Sequence, residues 1–240
     1  PQNAIGSIHN ISTSNVNEMT SQSLRFSHQM PLWRVRMTRA AAAIVVKEIQ
    51  GAHAELTRNN KGILSIGTRM RLWEAMIDAN QPEASYLRRT YLDMLCVCKV
   101  QYIWEQTFRG RSDINEMLSL AVSLTENRVD ADDAERSAYR FFQSLGNDAT
   151  NPENDKAIFV ANAAQHMVIS ACHRDPYYVI DEELEDDDEL LPDSLDCSYA
   201  CACAVAGGMN WRPAAEVDVE ARRAFWMWYL NEAIPSVLNN

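Results

Sequence analysis

Apolar positions recur at helical spacing along most of the chain. Val45, Ile49, Ala52 and Leu56 fall at i, i+4, i+7 and i+11. They sit within a run predicted to be helical from Leu32 to Arg58, entered through Pro31 and left at Asn59, Asn60 and Gly62. Met70, Trp73 and Ile77 mark a second helix over Thr68 to Ala79. Leu87, Tyr91, Leu95 and Cys98 mark a third over Glu83 to Phe108, opened by Pro82 and closed by Gly110. Ser112 and Asp113 offer an N-cap for Ile114 to Asn127, and Asp130 with Asp133 resembles a capping arrangement ahead of Ala134 to Leu145, which Gly146 ends. Asn151-Pro152-Glu153 starts a sixth helix reaching about His173. A short one over Ser198 to Ala206 is capped by Ser194 or Asp196 and stopped by Gly207-Gly208. The last runs from Asp218 to Ala233, ended or kinked by Pro235. No segment alternates with period two between hairpin turns.

The prediction is an all-α fold, a single helical domain of about eight helices over residues 30–240. Residues 1–29, rich in Ser, Asn, Thr and Gln, read as a polar N-terminal arm that is disordered or weakly packed. A chain of 240 residues can bury roughly 70% of its unfolded surface, so one core needs no staples.

Charge is distributed unevenly. The net charge is −11, and between Asp175 and Trp211 there are eleven acids and no Lys or Arg. Acids and bases are equal in number elsewhere, so the whole excess lies in this segment. A loop is expected over 175–196, with Asp181, Glu182, Glu183, Glu185, Asp186, Asp187, Asp188 and Glu189 at its centre. It reads either as a solvated loop kept soluble by self-repulsion or as a polyanion mimic for a basic partner. Binding of nucleic acid or of an anionic membrane is disfavoured, because both require clustered Lys and Arg. No stretch reaches the ~18 apolar residues of a membrane span. EF-hand calcium spacing is absent.

The six cysteines, Cys96, Cys98, Cys172, Cys197, Cys201 and Cys203, fit neither a disulfide framework nor a pair of zinc-binding units. A metal site would join Cys197, Cys201 and Cys203 to His166, Cys172 or His173, but Cys197 and Cys201 share a helical face from which Cys203 points away. Free thiols, no metal and a reducing cytoplasm are expected. No G-x-S-x-G, P-loop or Gly-rich dinucleotide turn is present, and the Glu74/Asp78 pair lacks the E-x-x-H companion of a carboxylate metal site. Neither a catalytic residue nor a cofactor is therefore predicted. The cluster Phe225-Trp226-Met227-Trp228-Tyr229-Leu230 covers every direction around a helix. It reads as a central buried helix, or as one from which Trp226, Trp228 or Tyr229 reaches a partner.

The stretch from Pro192 to Trp211, with its Gly-Gly stop, and Arg222-Arg-Ala-Phe-Trp-Met-Trp-Tyr-Leu-Asn-Glu-Ala-Ile-Pro-Ser-Val237 after it resemble the fifth-numbered family of immunity proteins from bacterial polymorphic toxin systems. The likeness covers a fifth to a quarter of the chain. It implies a helical, non-enzymatic cytoplasmic protein that binds a cognate toxin and occludes its active site or substrate surface. The family supplies no catalytic residues. Its shared residues are expected to build the fold, with Gly207 and Gly208 as a helix stop and Trp211, Phe225, Trp226, Trp228 and Tyr229 as core. Arg222 and Arg223 are expected to be ion-pair partners. The toxin is then expected to present a basic surface to the acidic loop. An all-α enzyme and a helical adaptor subunit stay open beside this reading.

Overall fold

Side-chain caps set where the helices begin. In the computed structural model the described residues, 37–180 and 195–239, form eight helices and no strand, and belong to one helical unit. Helix α1, Arg39–Arg58, starts where it does because Thr38 is extended and its hydroxyl accepts from the Ala41 amide at 3.2 Å, and the part of the predicted run before residue 37 lies outside the described residues. Ser65 caps α2, Ile66–Ala75, in the same way. Pro82 opens α3, Pro82–Thr107, whose length matches its apolar run. Asp113–Thr125 forms α4, and Asp130 caps α5, Ala131–Ser144, by accepting from the Asp132 and Asp133 amides. Pro152 initiates only a 3-10 turn, Pro152–Asn154, which leads into α6, Asp155–Cys172. Asp196, rather than Ser194, caps α7, Cys197–Ala206.

Pro235 does not end the last helix. Val219–Trp228 continues through a π turn, Tyr229–Ala233, into Ile234–Asn239, and these three pieces are α8. The Ile234 amide donates to Tyr229 O, five residues back. The widened turn makes room for a proline ring that would collide with a carbonyl four residues earlier, so the helix survives its proline.

The centre of the fold is α6 rather than the C-terminal helix. It packs against α3, α4, α5 and α7. Its buried residues include Ala157, Ala161, Ala163, Ala164 and Ala171, and nine of the ten residues of α7 are buried, mostly Ala and Cys. Small side chains let two helices approach closely, and apolar character all round α7 is what a helix covered on every side requires. Helix α8 lies on α7 and buries one face, Arg222, Phe225, Trp226, Tyr229, Leu230 and Ala233. Met227 is exposed and Trp228 half-buried, so the aromatic cluster has an inner and an outer side.

Candidate partner-binding site

The eight acids from Asp181 to Glu189 lie outside the described residues, as does the arm at 1–29. The chain on either side of the acidic run is held to the body by buried arginines. On the upstream side α6 ends at Cys172, and Arg89 of α3 reaches across to its last carbonyls. The Arg89 guanidinium donates to the main-chain oxygens of Ser170, at 3.0 Å, of His173 and of Asp175. Arg174 adds bonds to Glu83, Leu124 O and Asn127 at 2.6–2.9 Å. The Tyr178 ring stacks on His173 at 3.8 Å.

On the downstream side Asp196 does two things at once. One carboxylate oxygen accepts from the Tyr199 amide at 2.9 Å, capping α7, and the other pairs with Arg69 of α2 at 2.8 Å. Arg69 is fully buried, gives a further bond to Leu64 O at 2.6 Å, and sits 5.3 and 5.5 Å from the ring centres of Tyr199 and Trp226. An ion pair this enclosed is costly to break, because the surviving charge loses its partner out of water.

Sequence reasoning missed both arginines, although a signal exists. Arg69 falls on the same helical stripe as Ile66 and Trp73, and Arg89 on that of Leu92 and Cys96. A cation at a core position of an amphipathic helix is either strained or engaged, and here both are engaged.

Between the two anchors lies Asp93. Its carboxyl faces Arg89, the Ser170 hydroxyl and Asp196. The residue keeps part of its accessible surface, yet its carboxyl is so crowded by protein atoms that burial pushes its pKa up to about 7. The Cys197 thiol donates to Asp93 O at 3.6 Å. Burial pushes the thiols of Cys96 and Cys197 well above their ordinary value, and that of Cys98 up to about 12. A nucleophilic cysteine needs the opposite shift, so these are protonated core thiols. The cavity between Trp73, Ser85, Arg89, Pro176 and Val179 encloses about 10 Å³, room for one water rather than a substrate. All six cysteines are free, and among the described residues no group of three His, Cys, Asp or Glu side chains is placed to hold a metal ion.

The C-terminal motif is divided between core and surface. Gly207 closes α7 in the left-handed region, φ +76°, and a Cβ on Gly208 would come within 2.9 Å of Arg212 Cδ. Gly208 O then accepts from Arg222 at 2.7 Å. Phe225, Trp226 and Tyr229 are buried, and Tyr229 accepts from Trp73 Nε1 at 2.8 Å. Trp211, expected in the core, is 59% exposed. It sits in the loop after the glycine stop, off the inner face of α8, with its indole N–H on Met209 sulfur. Arg222 bonds Gly208 O and Met209 O, while Arg223 caps the end of α1 through Leu56 O and Asn59 O and touches Glu220 only at 3.9 Å.

No helix among the described residues is long and apolar enough to cross a membrane. The family model described as Immunity protein Imm5 matches residues 49–236, from the middle of α1 into the last turns of α8. Among curated proteins none matches the chain. A match that spans nearly every described helix, including both buried arginine anchors and the C-terminal motif, places this chain in the Imm5 family of immunity proteins.

Proposed function

We propose that the chain neutralises one cognate toxin by tight, non-covalent binding, with no chemistry of its own, and that the bound toxin has its active site or substrate surface occluded. The family match carries this reading. In it, residues Asp181, Glu182, Glu183, Glu185, Asp186, Asp187, Asp188 and Glu189 meet a basic surface of the toxin, and the complex forms in the cytoplasm of a bacterium that makes both proteins for competition with its neighbours.

Support comes from charge and from anchoring. The entire net charge of −11 resides in the segment that contains these acids. The chain is fixed on one side of the acids by Arg89 and on the other by Arg69 with Asp196. Charge on such a segment acts mainly on encounter, raising association rates by ~10–10³ in a salt-dependent way.

Two experiments test the reading. Co-expression with the toxin encoded beside its gene should restore growth of a bacterial host, and failure to restore growth or to co-purify with that toxin would refute it. Replacing the eight acids by Ser and Asn should slow association and flatten its dependence on ionic strength. Equal rates and equal salt slopes would leave the run as a solubilising loop.

A further inference from the structure

The turn that leaves α6 meets the exposed side of α5, and together they present an aromatic face. Cys172, the last residue of α6, donates to Ala131 O at 3.3 Å. Burial pushes that thiol up to about 12, and the negative charges of Glu135, Asp132 and Asp130 at the start of α5 add to the rise. Glu135 and Tyr139, one turn apart on α5, lie within electrostatic reach of the Tyr178 hydroxyl, which burial and these two groups push up. Tyr177 precedes it on the same turn, its amide fixed by the Asp175 carboxylate at 2.9 Å. Tyr139, Tyr177 and Tyr178 are 46, 47 and 43% exposed. Three large rings are thus offered to solvent where this turn meets α5, and around the start of that helix Asp130, Asp132, Asp133 and Glu135 outnumber Arg136 and Arg140, with Arg136 paired to Asp133.

That combination has a chemical preference. A tyrosine ring attracts a cation through its negative face, and a carboxylate beside it adds a charge-assisted hydrogen bond. The inner side of Tyr178 already holds one guanidinium, since Arg89 lies 5.7 Å from the ring centre. Among the described residues no cation lies over the rings of Tyr139 and Tyr177. Tyrosine also brings large contact area at small entropic cost, which makes it a favoured interface anchor.

We propose that this face, Tyr139 and Tyr177 with Glu135 and Asp132, is the close-contact half of the toxin interface, docking Arg and Lys side chains of the toxin. The proposal rests on the toxin-binding reading above and adds the surface of the body on which the toxin settles. Charge complementarity selects the occupant. A second copy of this chain would bring the same excess of acids to this face, whereas a cationic surface is attracted both to it and to the acids that follow it in sequence. The sequence runs directly from this turn into the acids at 181–189. Encounter charge and contact area therefore share one place on the chain.

Contact anchors and steering charges differ kinetically. Long-range charge changes association, while well-packed anchors change dissociation. The test uses the purified full chain and the toxin encoded beside its gene. The double variant Tyr139→Ala/Tyr177→Ala should dissociate at least ~10-fold faster at both low and high salt, with association within about twofold of the original and an unchanged melting temperature. Tyr178 is left intact because its ring braces His173. Glu135→Lys should weaken binding as well, and Trp211→Ala, an exposed aromatic elsewhere, should not. Dissociation rates unchanged in the double variant, or an equal loss in Trp211→Ala, would overturn the assignment while the toxin-binding reading stood. Absence of binding by the unaltered chain would overturn both. A dimer of this chain that the double variant disperses would assign the face to a second copy instead.

Discussion

Asp93 makes the fold itself sensitive to pH, and the sense of the effect follows from its surroundings. Arg89 beside it and the Ser170 hydroxyl favour the ionised carboxylate, but burial and the nearby Asp196 disfavour it more, and the pKa rises from 3.8 to about 7. The other titratable groups facing this region are Cys96 on α3, Cys197 at the start of α7 and Tyr229 on α8, all shifted upward and uncharged near neutrality. The folded chain therefore holds a proton that the unfolded chain releases once the pH exceeds about 4. Stability is greatest below the unfolded value and falls as pH rises, until the folded carboxyl has ionised above about 7. For these two pKa values the loss between pH 5 and pH 8 is about 2–3 kcal/mol. Asp93→Asn keeps the shape and removes the titration. Urea unfolding of both proteins at pH 5, 6, 7 and 8 and constant ionic strength should show the variant gaining about 2–3 kcal/mol on the original chain across that range. A constant difference would mean that Asp93 stays in one protonation state throughout. A difference of opposite sign would mean that the Arg89 pairing outweighs desolvation.

Trp226→Ala should cost about 3–5 kcal/mol, because the ring is buried against Arg69, Phe225 and Tyr229, whereas half-buried Trp228, held by Lys99 at 4.9 Å, should cost about 1–2 kcal/mol; equal losses in thermal melts would refute the two-sided reading of α8. Gly207→Ala should destabilise by about 1–2 kcal/mol, since the left-handed backbone is strained for alanine while the nearest atom to a new Cβ, Lys156 Cε, can swing away; an unchanged midpoint would show that the backbone relaxes. Ellman's reagent at pH 8 should react slowly with the native protein, as Cys98 and Cys172 are pushed up to about 12 and the others are buried or raised further, yet should report six thiols in denaturant; rapid native labelling would contradict those shifts.

Helix content was legible because local signals agree with the tertiary result. Thr38, Ser65, Asp130 and Asp196 each accept a main-chain amide at a helix start, and Gly207 ends α7 through a backbone conformation that glycine adopts freely. Where two local rules conflicted, spacing alone could not decide. Pro235 reads as a helix stop, but a π turn absorbs it because Tyr229, Leu230 and Ala233 keep α8 packed on both sides of the bulge. The family resemblance put Trp211 in the core, but its position in a loop is a matter of where the chain turns, which a shared motif does not encode.

The arginine anchors show the deeper limit. Each joins residues far apart in sequence, Arg69 to Asp196 and Arg89 to the carbonyls of 170–175, and no periodicity within one helix reveals such a partner. Their position on apolar stripes shows only that a partner must exist. What the two anchors have in common is the segment they flank. Two buried cations on the chain either side of an acidic run are explained more simply by placement than by stability, since well-packed apolar groups serve stability at least as well as buried ion pairs. On that argument, exchanging Arg69 for Met together with Asp196 for Asn, whose side-chain oxygen still caps α7, should lower stability by only about 1–2 kcal/mol, the loss of the bond to Leu64 O, while weakening toxin binding. A variant that bound the toxin as tightly as the original would reduce the anchor to a core packing element.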